Sequence, residues 1–143
     1  MKNTRCWGLR FLPALALGLA AALAQAAPVE KRPALKGVTS YRLGNYGVPS
    51  VTAERREQVA PVVAELNALR AKAWSRSDAR MSCYATLILS GGGKMVGYFR
   101  ISPDYVVERP LEKGEPSYSL AVTPADIPLL TRLLAEITPP KCK

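Results

Sequence analysis

Histidine is absent from all 143 residues of this chain, and with it goes the side chain that most often serves as a general base near neutral pH. Serine–histidine–acid triads and histidine-ligated zinc hydrolysis are excluded within the chain. Cysteine is scarce: Cys6, Cys83 and Cys142 lie too far apart to follow a metal-ligand spacing, and no cofactor or metal is expected. Acidic residues number 11 against 20 Lys and Arg, giving a net charge of +9. That balance favours anionic partners such as lipid headgroups, nucleic acid or acidic protein surfaces, and it is silent about fold. The one long apolar run, residues 11–24, falls short of the ~20 residues needed to cross a bilayer.

What stands around that run explains it. Lys2, Arg5 and Arg10 precede it with no acidic residue, and Ala24, Gln25 and Ala26 follow it. This is the charged start, apolar centre and small-residue cleavage site of a secretory signal. Cleavage is expected after Ala26, making residues 1–26 a signal peptide. No cysteine directly follows the cleavage site, so a soluble product is expected in the periplasm or the medium. The product keeps 117 residues, within the range of one domain. Its charge falls to +6 because three cations leave with the signal. Cys6 leaves too, and in an oxidising compartment Cys83 and Cys142 are most simply one disulfide. Closing that loop of about 60 residues is worth roughly 4 kcal/mol in the chain-entropy description.

The mature chain begins with residues 27–37, where two prolines mix with charges and no period shows, so a flexible leader is expected. Residues 38–43 are expected to form a short edge strand, followed by the turn-forming Gly44, Asn45, Tyr46 and Gly47. Thr52 is a helix cap, and Val59, Val62, Val63, Leu66, Leu69 and Ala73 recur at spacings of three and four, predicting one helix over 53–74 kinked at Pro61, with Trp74 in its last turn. The period then shifts to two. Residues 83–89 and 94–101 read as a β-hairpin around Ser90, Gly91, Gly92 and Gly93; residues 105–109 and 117–122 supply two further strands. Thr123, Pro124 and Asp126 open a last helix whose regular part Pro128 is expected to delay until about residue 127, with Ile127, Leu130, Leu134 and Ile137 as its buried stripe, and Pro139 and Pro140 end it. The expected fold over 38–143 is α+β: a single two-layer domain of a short edge strand, a kinked helix, a four-stranded antiparallel meander and a C-terminal helix on the sheet, tied by one disulfide.

Few side chains invite chemistry. Glu108, Glu112 and Glu115 could supply the carboxylate pair of a glycoside hydrolase, but Arg109 and Lys113 interleave with them as in a solvated charged loop. Ser90 to Lys94 carries three glycines and a lysine, yet it lacks the spacing of a phosphate loop and joins two strands instead of opening a helix. Arg70, Lys72, Arg76 and Arg80 make the densest cationic stretch, with Asp78 as the acid among them and Trp74 as its one interleaved aromatic; this is the surface a polyanion or lipid headgroup would use. In a meander, alternate turns share an end, so the glycine tip and the loop 110–116 should project together. We therefore expect no enzyme but a small exported binding protein, of the inhibitor or immunity kind, that meets a protein partner in the cell envelope through Ser90, Gly91, Gly92, Gly93, Lys94, Glu112, Lys113 and Glu115. The alternative is a polyanion- or headgroup-binding module using the cationic stretch, and a carboxylate hydrolase ranks below both. The first expected outcome is that exported protein begins near Ala27 and has no alkylatable thiol before reduction. Intact mass with and without reductant measures both, and two alkylated thiols without reduction would contradict the disulfide.

Overall fold

The computed structural model describes residues 28–45 and 50–137. The expected signal peptide, the turn expected at Tyr46 and Gly47, Pro139, Pro140 and Cys142 lie outside the described residues. Within them the chain forms two helices and one antiparallel sheet of eight strands in the order β1-β4-β8-β7-β6-β5-β2-β3. The strands are β1 (Val29–Glu30), β2 (Ser40–Gly44), β3 (Val51–Ala53), β4 (Trp74–Ser75), β5 (Ala85–Gly91), β6 (Lys94–Ile101), β7 (Tyr105–Glu108) and β8 (Tyr118–Ala121); the helices are α1 (Arg56–Arg70) and α2 (Pro128–Ala135).

The four-stranded meander is β5 to β8, each strand antiparallel to the next. Alternation sets its faces. Ala85, Leu87 and Leu89 of β5 and Phe99 and Ile101 of β6 are buried with Leu66 and Leu69 of α1 and Leu130 of α2, while the residues between them are less enclosed. A shift of register between Leu89 and Ser90 leaves an extra residue on β6, the signature of a bulge. Gly97 beside it is tightly surrounded: a Cβ there would come within 2.9 Å of the Phe99 ring.

All three glycines of the hairpin have a structural reason. Gly92 and Gly93 sit at φ +58° and +74°, the left-handed pair required by a two-residue hairpin turn that follows the strand twist. Gly91 is buried where a Cβ would lie 1.8 Å from the carbonyl oxygen of Gly37, so only glycine admits the crossing chain. The glycine tip is a tight turn.

Four other expectations change. The segment 38–43 does not form a sheet edge, because β2 lies between β5 and β3. Thr52 and Ala53, expected as the cap and first residue of the helix, belong to β3 instead; Arg55, not Thr52, caps α1, with no side-chain hydrogen bond. The helix ends at Arg70, and Trp74 belongs to β4, fully buried and donating its indole N–H to the Leu69 carbonyl at 2.7 Å; an apolar residue at helical spacing can serve the core from the next element as well. Residues 28–37 are no loose leader where described. Val29 and Glu30 form β1 against β4, and the Arg32 and Leu35 amides donate to the Arg70 carbonyl and the Asn67 Oδ1, each at 2.8 Å.

Two connections cross the sheet on opposite faces. Helix α1 carries the chain from β3 at one edge to β4 near the other, over the face lined by Leu87, Leu89 and Phe99. The return from β4 to β5 passes residues 76–84 over the other face, where Ser77 Oγ meets Ser119 Oγ at 2.7 Å and Asp78 pairs with Arg109. That covering explains why Val107, which shares its face with Ser119 and Arg100, is wholly buried although it points away from the helices. Leu66→Ala and Leu130→Ala, each removing a fully buried side chain, are expected to cost ~2 to 5 kcal/mol each; denaturant midpoints measure the loss, and a neutral change would contradict the packing of that helix.

Candidate functional site

At the end of the meander that carries the β5–β6 turn, the loop 109–117 between β7 and β8 closes over a polar cavity of about 370 Å³, lined among others by Arg32, Arg70, Val96, Glu108, Glu112 and Tyr118. Its floor is an ion cluster. The Glu108 carboxylate accepts from Arg70 Nη1 at 2.6 Å on one oxygen and from Arg32 Nε at 3.2 Å on the other. Arg70, only 6% exposed, also donates its Nε to the Pro33 carbonyl. Arg32 donates Nη1 to Glu30 at 3.1 Å and stacks its guanidinium 3.7 Å over the Tyr118 ring.

Each element brings one member. Arg70 closes α1, Glu108 ends β7 on the helix-facing side of the sheet beside Phe99, Tyr118 stands opposite Glu108 across the β7–β8 pair, and Arg32 comes from the segment after β1. Burial opposes the charge on Arg32, but the Glu108 carboxylate more than compensates and holds its pKa above the ordinary arginine value. The hydrogen bond to Glu30, aided by burial, pushes the Tyr118 phenol above its usual value.

The cavity gathers Glu108, Glu112 and Glu115, the three carboxylates considered for hydrolysis. Both oxygens of Glu108 are occupied by guanidinium groups, so it has no lone carboxyl to offer as proton donor or nucleophile, while Glu112 and Glu115 are exposed at the mouth. Lys113 is exposed on the same loop; Ser90, Gly91, Gly92, Gly93 and Lys94 are not among the residues lining the cavity. Val96 reaches it from the arm of the hairpin, next to Met95, and Leu111 lies on its rim.

The cationic stretch is divided. Arg70 is buried in the cluster, and Lys72 donates to Asp126 at 2.7 Å. That bond, with those from Thr123, holds the Asp126 carboxyl down at about 2. Arg76 and Arg80 are exposed. Sequence reasoning missed Arg32 and Tyr118 and treated Glu108 as solvated. The available signal was the strand: residues 105–108 end with Glu108 two positions after Val106, on the same face as a core residue.

Among the described residues no group of three or more His, Cys, Asp or Glu side chains could hold a metal ion, and no helix is long and apolar enough to cross a membrane. No protein-family model, curated protein or solved structure matches the chain.

Removing one side of the cluster leaves a buried cation unpaired, which is far costlier than losing an exposed pair. Glu108→Gln is therefore expected to destabilise the fold by on the order of 3 kcal/mol, whereas Asp78→Asn, which breaks the more exposed pair with Arg109, should cost under ~1 kcal/mol. Urea unfolding of the two variants makes the comparison, and equal losses would contradict the burial argument.

Proposed function

We propose that this chain is the precursor of an exported cell-envelope protein that binds another protein, in the manner of an inhibitor or immunity protein, through the end of the sheet that carries the loop 109–117. The observation that carries this reading is the pairing of a rigid floor with an apolar rim. Leu111, 47% exposed, lines the mouth of the cavity above the Arg32–Glu108–Arg70 cluster, and Met95, 49% exposed, is next in sequence to Val96 of the same lining. Lys94 adjoins Met95, and Glu112, Lys113 and Glu115 stand on the loop that carries Leu111, so charges of both signs accompany the two apolar residues. Exposed apolar anchors within a polar rim are the usual composition of a protein interface, and a loop set on a fixed scaffold is the usual carrier of binding.

The disulfide between Cys83 and Cys142 belongs to the same proposal. Cys83 and Ile137, the last described residue, line one cavity beneath α2. A helix that crosses the strand ends toward Cys83 leaves five residues, about 16 Å of extended chain, to reach it. Binding of a polyanion is disfavoured because Arg70 and Lys72 already hold carboxylates of this chain.

Mature protein captured with its partner from envelope extract tests the reading. Leu111→Asp and Met95→Asp are expected to weaken a stoichiometric complex at least tenfold while leaving the melting temperature in place. Gly92 is unsuitable as a probe because its positive φ would strain any replacement. Salt-sensitive retention on heparin that depends on Arg76 and Arg80, with no effect of the two loop variants on any complex, would replace this reading by the polyanion one.

A further inference from the structure

The ion cluster on the floor of the loop cavity holds more donors than it uses. Arg70 donates through Nε to the Pro33 carbonyl and through Nη1 to Glu108, and Arg32 donates through Nε to Glu108 and through Nη1 to Glu30. The Nη2 group of each guanidinium meets no acceptor among the described residues. The buried side-chain polar atoms left without a partner among those residues are Arg100 Nε and Thr131 Oγ1, so the two Nη2 groups are not sealed in. Both arginines border the cavity. Arg70 is otherwise enclosed, so the cavity is where its free N–H groups can be met.

Charge is uneven in the same sense. The two guanidiniums share one enclosed carboxylate, that of Glu108, whose side chain is 13% exposed, whereas Glu30, the second acid on Arg32, is 50% exposed and screened by water. Arg109, the third cation of the lining, is held by Asp78. The floor therefore keeps a positive excess where screening is weak. At the mouth the sign reverses, because Glu112 and Glu115 stand exposed there. A single flat carboxylate matches this arrangement, since a guanidinium edge takes it through paired N–H bonds. A neutral amide accepts the same bonds and leaves the charge excess unanswered, and the further charges of a polyanion would meet Glu112 and Glu115.

We infer that the cavity receives one carboxylate, from an acidic side chain or the chain end of the partner, and that Arg32 and Arg70 bind it. The inference rests on the reading that this end of the sheet meets a protein, and it names the group that the protein inserts. Small probes test it with no partner present, so carboxylate binding can fail while the Leu111 and Met95 variants still establish the interface.

Two pairs of probes share a shape and differ in charge: N-acetylaspartate α-amide with N-acetylasparagine amide, and N-acetylalanine with its amide. The first pair stands for an acidic side chain and the second for a chain end. They are titrated into mature protein at neutral pH and followed by the Arg32 and Arg70 Nε–H resonances. At least one acid is expected to saturate both signals and to bind about tenfold more tightly than its amide, the worth of hydrogen bonds to a charged group; the tighter acid identifies the source. Arg32→Gln should remove most of that preference. Glu112→Gln combined with Glu115→Gln changes exposed side chains alone and should tighten acid binding about two- to fivefold at low salt, which keeps the inference testable if melting shows that Arg32→Gln does not fold. The inference is overturned if neither acid exceeds its amide in the wild type, or if a folded Arg32→Gln keeps the preference. Acid binding weakened by the double mouth variant, or inorganic phosphate bound more tightly than both acids, would overturn it as well.

Discussion

The Arg70 side chain has to be paired, and much of the architecture follows from where its partners are. A guanidinium 6% exposed is stable only if its charge and its donors are met inside the protein. Glu108 meets the charge and the Pro33 carbonyl takes the Nε–H. Those two contacts join the end of α1 to the central meander and to the segment following β1. Arg32 then takes the second oxygen of the same carboxylate and rests on Tyr118, so that β8 is tied in as well. A single carboxylate at the end of β7 thus joins the β7–β8 pair to α1 and to the segment after β1, both distant from it in sequence.

The sheet is covered on both sides by different means. On one face the apolar stripe of α1 and the buried residues of α2 pack on Leu87, Leu89, Phe99 and Ile101. Glu65 of α1 also accepts from the Leu129 and Leu130 amides at 2.9 Å each, which satisfies donors at the start of α2 that no helical carbonyl can reach. On the other face the irregular chain 76–84 does the covering through polar contacts. The Ser77–Ser119 and Asp78–Arg109 pairs hold a connection that has no hydrogen-bonded ladder of its own. The helix face carries most of the burial, while the second covering turns Val107 from a surface residue into a core residue.

Periodicity made the meander and the existence of both helices legible, because burial against one face writes a period of two or near four into the residues themselves. It could not reveal β3 or β4, of three and two residues, since so few positions carry no period; Thr52 and Trp74 were absorbed into the helix next to them. It also misjudged residues 28–37, whose order comes from hydrogen bonds to Arg70 and Asn67 rather than from any pattern of their own. The loop 110–116 was correctly placed at the end of the strands that carries the glycine turn, from connectivity alone. Its floor was not foreseen, because a glutamate flanked by arginines has the same local appearance whether it is solvated or enclosed. Only the pairing of Glu108 with Phe99 and Tyr118 in register decides between the two.

The account makes the Glu108 cluster the clamp that holds the segment 28–37 on the domain, and amide hydrogen exchange of the wild-type protein and Glu108→Gln measures this directly. Slow exchange at Arg32 and Leu35 in the wild type is predicted, lost in Glu108→Gln while Leu87 in β5 stays protected, the pattern of a local release beneath an intact core. Rapid exchange at Arg32 and Leu35 in the wild type, or protection there that survives the substitution, would contradict the clamp.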